Sequence, residues 1–168
     1  MHPSQLLHAQ TLRLTIFLGI VGLLAFGYYL EIVEGLEPCP LCITQRFFLL
    51  LCGLAGLSAL VQNPGQTGAR VYGAIGVLIA TAGGYFSSRQ LYLQSLPADQ
   101  VPACGPSIDF ILNTFPLMEA LQILLRGDGN CAEVAWRFLG LSIPAWTLVA
   151  FISLATAWTA QSLNKSAD

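Results

Sequence analysis

Four apolar runs, at residues 12–30, 43–61, 71–91 and 141–159, dominate this chain of 168 residues. A helix rises about 1.5 Å per residue and the hydrocarbon layer of a bilayer is about 30 Å thick, so each run has the length of one crossing. Lipid offers no hydrogen bonds, so every backbone N–H and C=O inside it must be paired within the chain. Runs of this length therefore predict helices, and four of them predict an all-α transmembrane four-helix bundle. The rest of the composition agrees: 55% of residues are hydrophobic and 10% charged, with a mean hydropathy of +0.66. The stretch Leu14 to Leu30 has no small-residue cleavage pattern behind it, so the first helix is expected to remain in the mature protein. Seven basic residues lie scattered along a chain of net charge -2, which excludes a nucleic-acid partner. The expectation is one integral membrane domain, residues 1–168, acting as a monomer in the lipid bilayer.

Within the runs, Thr44, Gln45 and Arg46 interrupt the second near its start, and Arg89 falls near the end of the third, where its side chain can reach an interface. Pro144 is tolerable near the start of the fourth. Glycines at 19, 22, 27, 53, 56, 73, 76, 83 and 84 are expected to let helices approach closely. Two loops on one side, residues 31–42 and 92–140, complete the outline. In the longer loop, Pro116 to Leu125 places Leu117, Leu121, Leu124 and Leu125 near one helical face, which predicts a short helix lying parallel to the membrane or packed on protein.

With four spans both loops emerge on the same face, carrying Cys39, Cys42, Cys104 and Cys131 together. Basic residues do not settle which face this is: Arg13, Arg70 and Lys165 lie on one side, Arg126 and Arg137 on the other. Paired cysteines persist only outside the reducing cytosol, so the loops are expected to be periplasmic and both termini cytoplasmic. His2 and His8 read as a polar tail. Trp136, Trp146 and Trp158 read as interface anchors or bundle packing.

Cys39-Pro40-Leu41-Cys42 is a C-x-x-C pair at the mouth of the second helix, a spacing that suits a redox disulfide or half a zinc site. Zinc needs further ligands, and the two histidines are expected across the membrane, so no metal is assigned. A thiolate at a helix N-terminus is stabilised by the helix dipole, which favours Cys42. Arg46 follows it by one turn on the same face and can hold a thiolate or a reduced oxygen anion; the alternative is an arginine that merely reaches the headgroups. A bridge between Cys104 and Cys131 would close about 28 residues and contribute about 3 kcal/mol as an inert staple. Equally, Pro102, Ala103, Gly105 and Pro106 around Cys104 leave its sulfur open to an attacking thiolate. Cys52, inside the second run, reads as a small buried hydrophobe without a role.

Taken together, Cys39-Pro40-Leu41-Cys42 with Arg46, Cys104, the segment Cys131-Ala132-Glu133, Trp136, Phe138 to Leu141, Pro144 and Trp146 resemble the bacterial disulfide bond formation protein B (DsbB) family, over nearly the whole chain and in the same order. The resemblance implies a bacterial inner-membrane, quinone-dependent protein-disulfide oxidoreductase. It would reoxidise a periplasmic DsbA-like thiol oxidase and pass the electrons to ubiquinone or menaquinone. It also implies two disulfides, Cys104/Cys131 attacked by the partner at Cys104, and Cys39/Cys42 reduced by internal exchange. Cys42 and Arg46 would face the quinone. Arg89, Gln90 and Gln94 at the end of the third helix have no assigned counterpart. A vitamin K epoxide reductase-like enzyme is the nearest alternative, although its loop cysteines are expected upstream of the C-x-x-C. From another class, a cysteine-ligated metal-handling membrane protein is the remaining reading.

Overall fold

The structure, a computed structural model, describes residues 3–106 and 108–163; His2, Lys165 and the His8 side chain lie outside the described residues. Four long helices form the body: α1 (Pro3–Ile32), α2 (Pro40–Gln62), α3 (Gln66–Ser95) and α6 (Ile143–Leu163). Each is long and apolar enough to cross a membrane. The segment between α3 and α6 holds two short helices, α4 (Ile108–Thr114) and α5 (Leu117–Arg126), then a 3-10 turn, Gly129–Ala132, and a two-stranded hairpin, β1 (Arg137–Phe138) with β2 (Leu141–Ser142).

Helix boundaries differ from the hydropathy pattern where local chemistry decides them. Helix α2 begins at Pro40, ahead of the apolar run at 43, because Pro40 occupies a first-turn position whose missing N–H costs nothing there and Cys39 supplies the cap. The hydropathy span expected from 141 starts at Ile143. Leu139 and Gly140 both take positive φ, +50° and +81°, which makes the tight two-residue turn of a β-hairpin and holds Leu141 and Ser142 in a strand.

The bundle core is a seam of Ile16, Ile20, Leu49, Ala80, Phe151 and Trp158, with Cys52 fully buried among them as an ordinary apolar side chain. Glycines open that seam, but not all of those expected. A Cβ at Gly76 would lie 2.2 Å from the Trp158 ring, and one at Gly83 2.3 Å from the Phe151 ring, so α3 and α6 meet only because both positions lack a side chain. Gly53 and Gly56 receive Ile20 and Trp158 more loosely. Gly19 and Gly22 have nothing within 4 Å, so their expected part in helix contact is corrected. Trp158 is wholly buried bundle packing, whereas Trp146 donates to the Phe138 carbonyl at 3.1 Å and Trp136 packs on Phe26 and Phe138 beside the hairpin.

At the end remote from the cysteines, Arg13 is buried rather than free at a helix end. It donates to Asn63 Oδ1 at 2.8 Å, the residue whose left-handed backbone closes α2. This arginine pins α1 to the α2–α3 turn, at the helix end where a cation is favoured by the dipole.

Candidate functional site: a cluster of thiols at one end of the bundle

Three of the four candidate cysteines meet where α2 begins. Cys39 is the N-cap of α2: its backbone is extended (φ −71°, ψ 164°) and its sulfur accepts from the Cys42 backbone N–H at 3.4 Å, as a serine or aspartate oxygen would. This cap folds the C-x-x-C back on itself, so the Cys39 thiol donates to Cys42 Sγ at 2.8 Å. Both are half-buried free thiols.

Cys131 joins them from the long loop. Asp128 caps the turn that carries it, accepting from the Asn130 N–H at 3.0 Å, and Gly127 approaches Leu41 so closely that a Cβ would stand 2.8 Å from the leucine side chain. With φ of +73°, Gly127 also needs the backbone freedom only glycine has without strain. Cys131 is thereby seated, fully buried, against Leu41 and Leu93 beside Cys39. The Cys39 thiol also hydrogen-bonds to Cys131, which pushes Cys39 up; its bond to Cys42 and its burial act in the same direction. Cys131 is correspondingly lowered, first by accepting from Cys39, then by the Asp128 and Leu41 backbones, with burial opposing. In the reduced cluster Cys39 therefore keeps its proton and donates it toward Cys131, which is the better thiolate of the two.

Cys104 is not in this cluster. It is exposed and a free thiol, as its small neighbours suggested. Its segment nevertheless rests on the turn before Cys131: the Gly129 N–H donates to the Ala103 carbonyl at 3.1 Å, and a Cβ at Gly129 would lie 3.0 Å from the Cys104 nitrogen. All four cysteines therefore belong to one end of the bundle.

The hydrogen bonds of Arg46 run to α1 rather than to Cys42. Its guanidinium pairs with Glu31 and donates to the Gly27 carbonyl at 2.9 Å, both on α1, and lies over the Tyr28 ring with Cζ 5.1 Å from its centroid. The thiol instead meets an amide. Gln90 Nε2 donates to Cys39 Sγ and Cys42 Sγ, each at 3.3 Å, and is itself only 3% exposed. Arg46 is thus held by α1, whose carboxylate and carbonyl are stronger acceptors than a thiol, and its charge stands one helical turn along α2 from Cys42.

Sequence reasoning missed Gln90 and Gln45 as parts of the site. The available signal was their polarity inside apolar spans, which is costly unless satisfied. The other unassigned side chains of α3 hold the loop in place. Arg89 Nε donates to the Arg126 carbonyl at 2.9 Å, and Gln94 Nε2 donates to the Glu133 carbonyl at 3.4 Å while its Oε1 accepts from Ser142 at 2.8 Å. From α2, Thr44 donates to the Leu124 carbonyl at 3.1 Å. That bond ties the α5 backbone to α2; the Leu124 side chain is half-buried, while Leu117, Leu121 and Leu125 are exposed with Met118. Among the described residues, no group of three or more His, Cys, Asp or Glu side chains is arranged to hold a metal ion.

Comparison with known proteins places this arrangement. The family model described as disulfide bond formation protein DsbB matches residues 9–161. The disulfide bond formation protein B of Marinobacter nauticus is 57% identical over 136 residues, 81% of each chain. That of Hahella chejuensis is 52% identical over 149 residues, 89% of this chain and 90% of the relative. Disulfide bond formation protein B 1 of Pseudomonas aeruginosa is 43% identical over 144 residues, 86% and 88% of the two chains. With thiols gathered at one end of four membrane-length helices and a match over nearly the whole sequence, the chain belongs to the disulfide bond formation protein B family and is a multi-pass inner-membrane thiol–disulfide oxidoreductase.

Proposed function

We propose that this chain oxidises a soluble periplasmic DsbA-like dithiol protein and passes the two electrons to a membrane quinone, ubiquinone or menaquinone, with both termini cytoplasmic and the chain acting as a monomer. The observation that carries the reading is that one sulfur, Cys39, is hydrogen-bonded both to its C-x-x-C partner and to Cys131 of the loop. A thiolate of the partner attacks exposed Cys104 in a Cys104/Cys131 disulfide, forming a mixed disulfide and releasing Cys131 as a thiolate. The partner's second thiolate then breaks the mixed disulfide, leaving the partner oxidised and Cys104 reduced. Cys131 attacks Cys39 of a Cys39/Cys42 disulfide and releases Cys42 as a thiolate; Cys104 then attacks Cys131, regenerating the loop disulfide. The two electrons now rest on Cys39 and Cys42, and every S–S bond broken is matched by one formed.

Cys42 and Arg46 would hold a quinone, which would supply the acceptor for two electrons and two protons as the Cys39/Cys42 disulfide re-forms. The residues present suit such a group. Cys42 is half-buried on a lipid-facing helix, and the neighbouring guanidinium, 22% exposed, is cradled above Gly27 as a cation for an oxygen acceptor. Gln90 holds the sulfurs and Glu31 holds Arg46 in position. Purified protein in lipid, given the reduced dithiol protein and ubiquinone, is expected to reduce one quinone per disulfide formed; disulfide formation without quinone reduction overturns the reading. Replacing Arg46 by histidine is expected to raise KM for quinone roughly tenfold while leaving KM for the dithiol protein unchanged. Equal losses for both substrates would remove Arg46 from the quinone side.

A pH dependence follows from the need for a Cys131 thiolate. Internal exchange rises as pH climbs through the Cys131 pKa and levels off above it. In the reduced cluster the Cys39 S–H is the largest cause that lowers Cys131, and that donor is lost once Cys39 is joined to Cys42, so the midpoint of the exchange is expected above the Cys131 pKa of the fully reduced protein. Single-turnover rapid mixing of Cys104-alkylated, loop-reduced protein across pH, beside a thiolate titration of the fully reduced protein, measures the difference. A midpoint below the Cys131 pKa of the fully reduced protein would contradict the assignment.

A further inference from the structure

A line of polar side chains runs from the thiols into the apolar bundle, and the redox chemistry described so far uses only its first member. Gln90, whose Nε2 donates to both sulfurs of the C-x-x-C, receives Gln45 Nε2 on its Oε1 at 2.6 Å. Gln45 in turn accepts on Oε1 from the Thr147 hydroxyl, which also lies 3.0 Å from the Pro144 carbonyl. Thr147 stands 3.1 Å from the Ser87 hydroxyl. Gln45, Gln90 and Ser87 are each at most 3% exposed, so no solvent competes for these bonds. Three of the four long helices contribute: α2 with Gln45, α3 with Ser87 and Gln90, and α6 with Thr147.

An apolar bundle packs without these groups, and burying two amides in one is costly unless each is satisfied. The arrangement has a direction. A carboxamide presents an acceptor at one end and a donor at the other. A hydroxyl donating to Gln45 Oε1 turns the Gln45 amino group toward Gln90 Oε1, and Gln90 must then turn its own amino group toward the sulfurs. We infer that Thr147, through Gln45, is a positioning residue that fixes the Gln90 amide with its N–H groups aimed at Cys39 and Cys42, and so raises the reduction potential of that pair. The inference rests on the Cys39/Cys42 pair being redox-active. The physical reason is that a thiolate is a far better acceptor than a disulfide sulfur, so a fixed donor stabilises the reduced form more than the oxidised one. Without the threonine, Gln45 and Gln90 are free to reverse together, which puts the Gln90 carbonyl oxygen, now 3.7 Å from Cys42 Sγ, in the place of the N–H groups.

The test uses full-length protein in lipid with Cys104 and Cys131 replaced by serine, so that only the Cys39/Cys42 pair exchanges with a glutathione redox buffer. Thr147→Val keeps the shape and removes the hydroxyl; it is expected to shift the equilibrium constant about threefold toward the disulfide, and Gln45→Leu about tenfold, or about 30 mV. Thr147→Ser is expected to restore the starting value. In a Gln90→Leu background, Thr147→Val is expected to have no further effect, since its influence passes through the amide. An unchanged constant in Thr147→Val, or a shift that persists in full without Gln90, overturns the inference while the redox reading stands. A parent protein whose Cys39/Cys42 pair never forms a disulfide in any buffer overturns the redox reading instead. A purely structural threonine would lower the melting temperature and leave the constant where it was. Should Gln45→Leu fail to accumulate, the Thr147 variants decide alone.

Discussion

Membranes carrying Cys131→Ser are expected to lose turnover of a reduced dithiol partner by at least about 10³-fold, close to the loss of the whole relay, because residues acting as one unit fail together. Serine matches cysteine in shape but forms no S–S bond. Without it the loop offers the partner no disulfide, and nothing attacks Cys39. The location of Cys131 makes the outcome specific. It is fully buried on Leu41 and Leu93 and hydrogen-bonded to Cys39, so no second loop sulfur stands ready in its place, and Cys104 is exposed outside the cluster. Alkylation trapping during steady state separates this from damage to the fold. In the variant, Cys39 and Cys42 are expected to stay oxidised and unlabelled while quinone is present, whereas an unfolded bundle exposes all its thiols, Cys52 among them. Turnover within tenfold of the parent would reject the relay through Cys131.

The second large effect concerns the bundle. Gly76→Leu is expected to abolish accumulation of folded protein, while Gly19→Leu leaves it unchanged, although both glycines lie in apolar spans. At Gly76 even a Cβ would come within 2.2–2.5 Å of three atoms of the Trp158 ring, and that ring is completely buried, with Gly56 and Ile16 nearby. The indole has no free direction in which to swing, so α3 must part from α6. Overpacking usually costs about 1–3 kcal/mol, and a whole leucine against an immobile ring exceeds that range. At Gly19 nothing lies within 4 Å. Size-exclusion profiles and melting temperatures in detergent compare the two, and equal stability for both variants would refute the packing account.

Much of this architecture was legible in the residues alone. Twenty-residue apolar runs fix four helices because lipid permits little else, and Pro40 after Cys39 marks the start of α2 by its lost N–H. The family motifs were legible too, since they sit in order along the chain. Pairings between remote side chains were not. Glu31 lies fifteen residues before Arg46 and Gln90 forty-eight after Cys42, and only the packing of α1 and α3 on α2 brings them together. Gly19 and Gly22 look like their contacting counterparts because composition does not say which way a helix face turns. The hairpin at Leu139–Gly140 escaped notice because leucine seldom takes positive φ and gives no turn signal.

The position of Cys39 between two sulfurs has a consequence for how many clients the protein serves in a cycle. Divalent sulfur has room for a single disulfide bond, so when Cys39 is joined to Cys131 it is detached from Cys42, and the reverse. In the proposed relay that valence rule works as a turnstile: a second client can still reduce the regenerated loop disulfide, but Cys131 cannot hand those electrons on to Cys39 until the membrane-side pair has been re-formed.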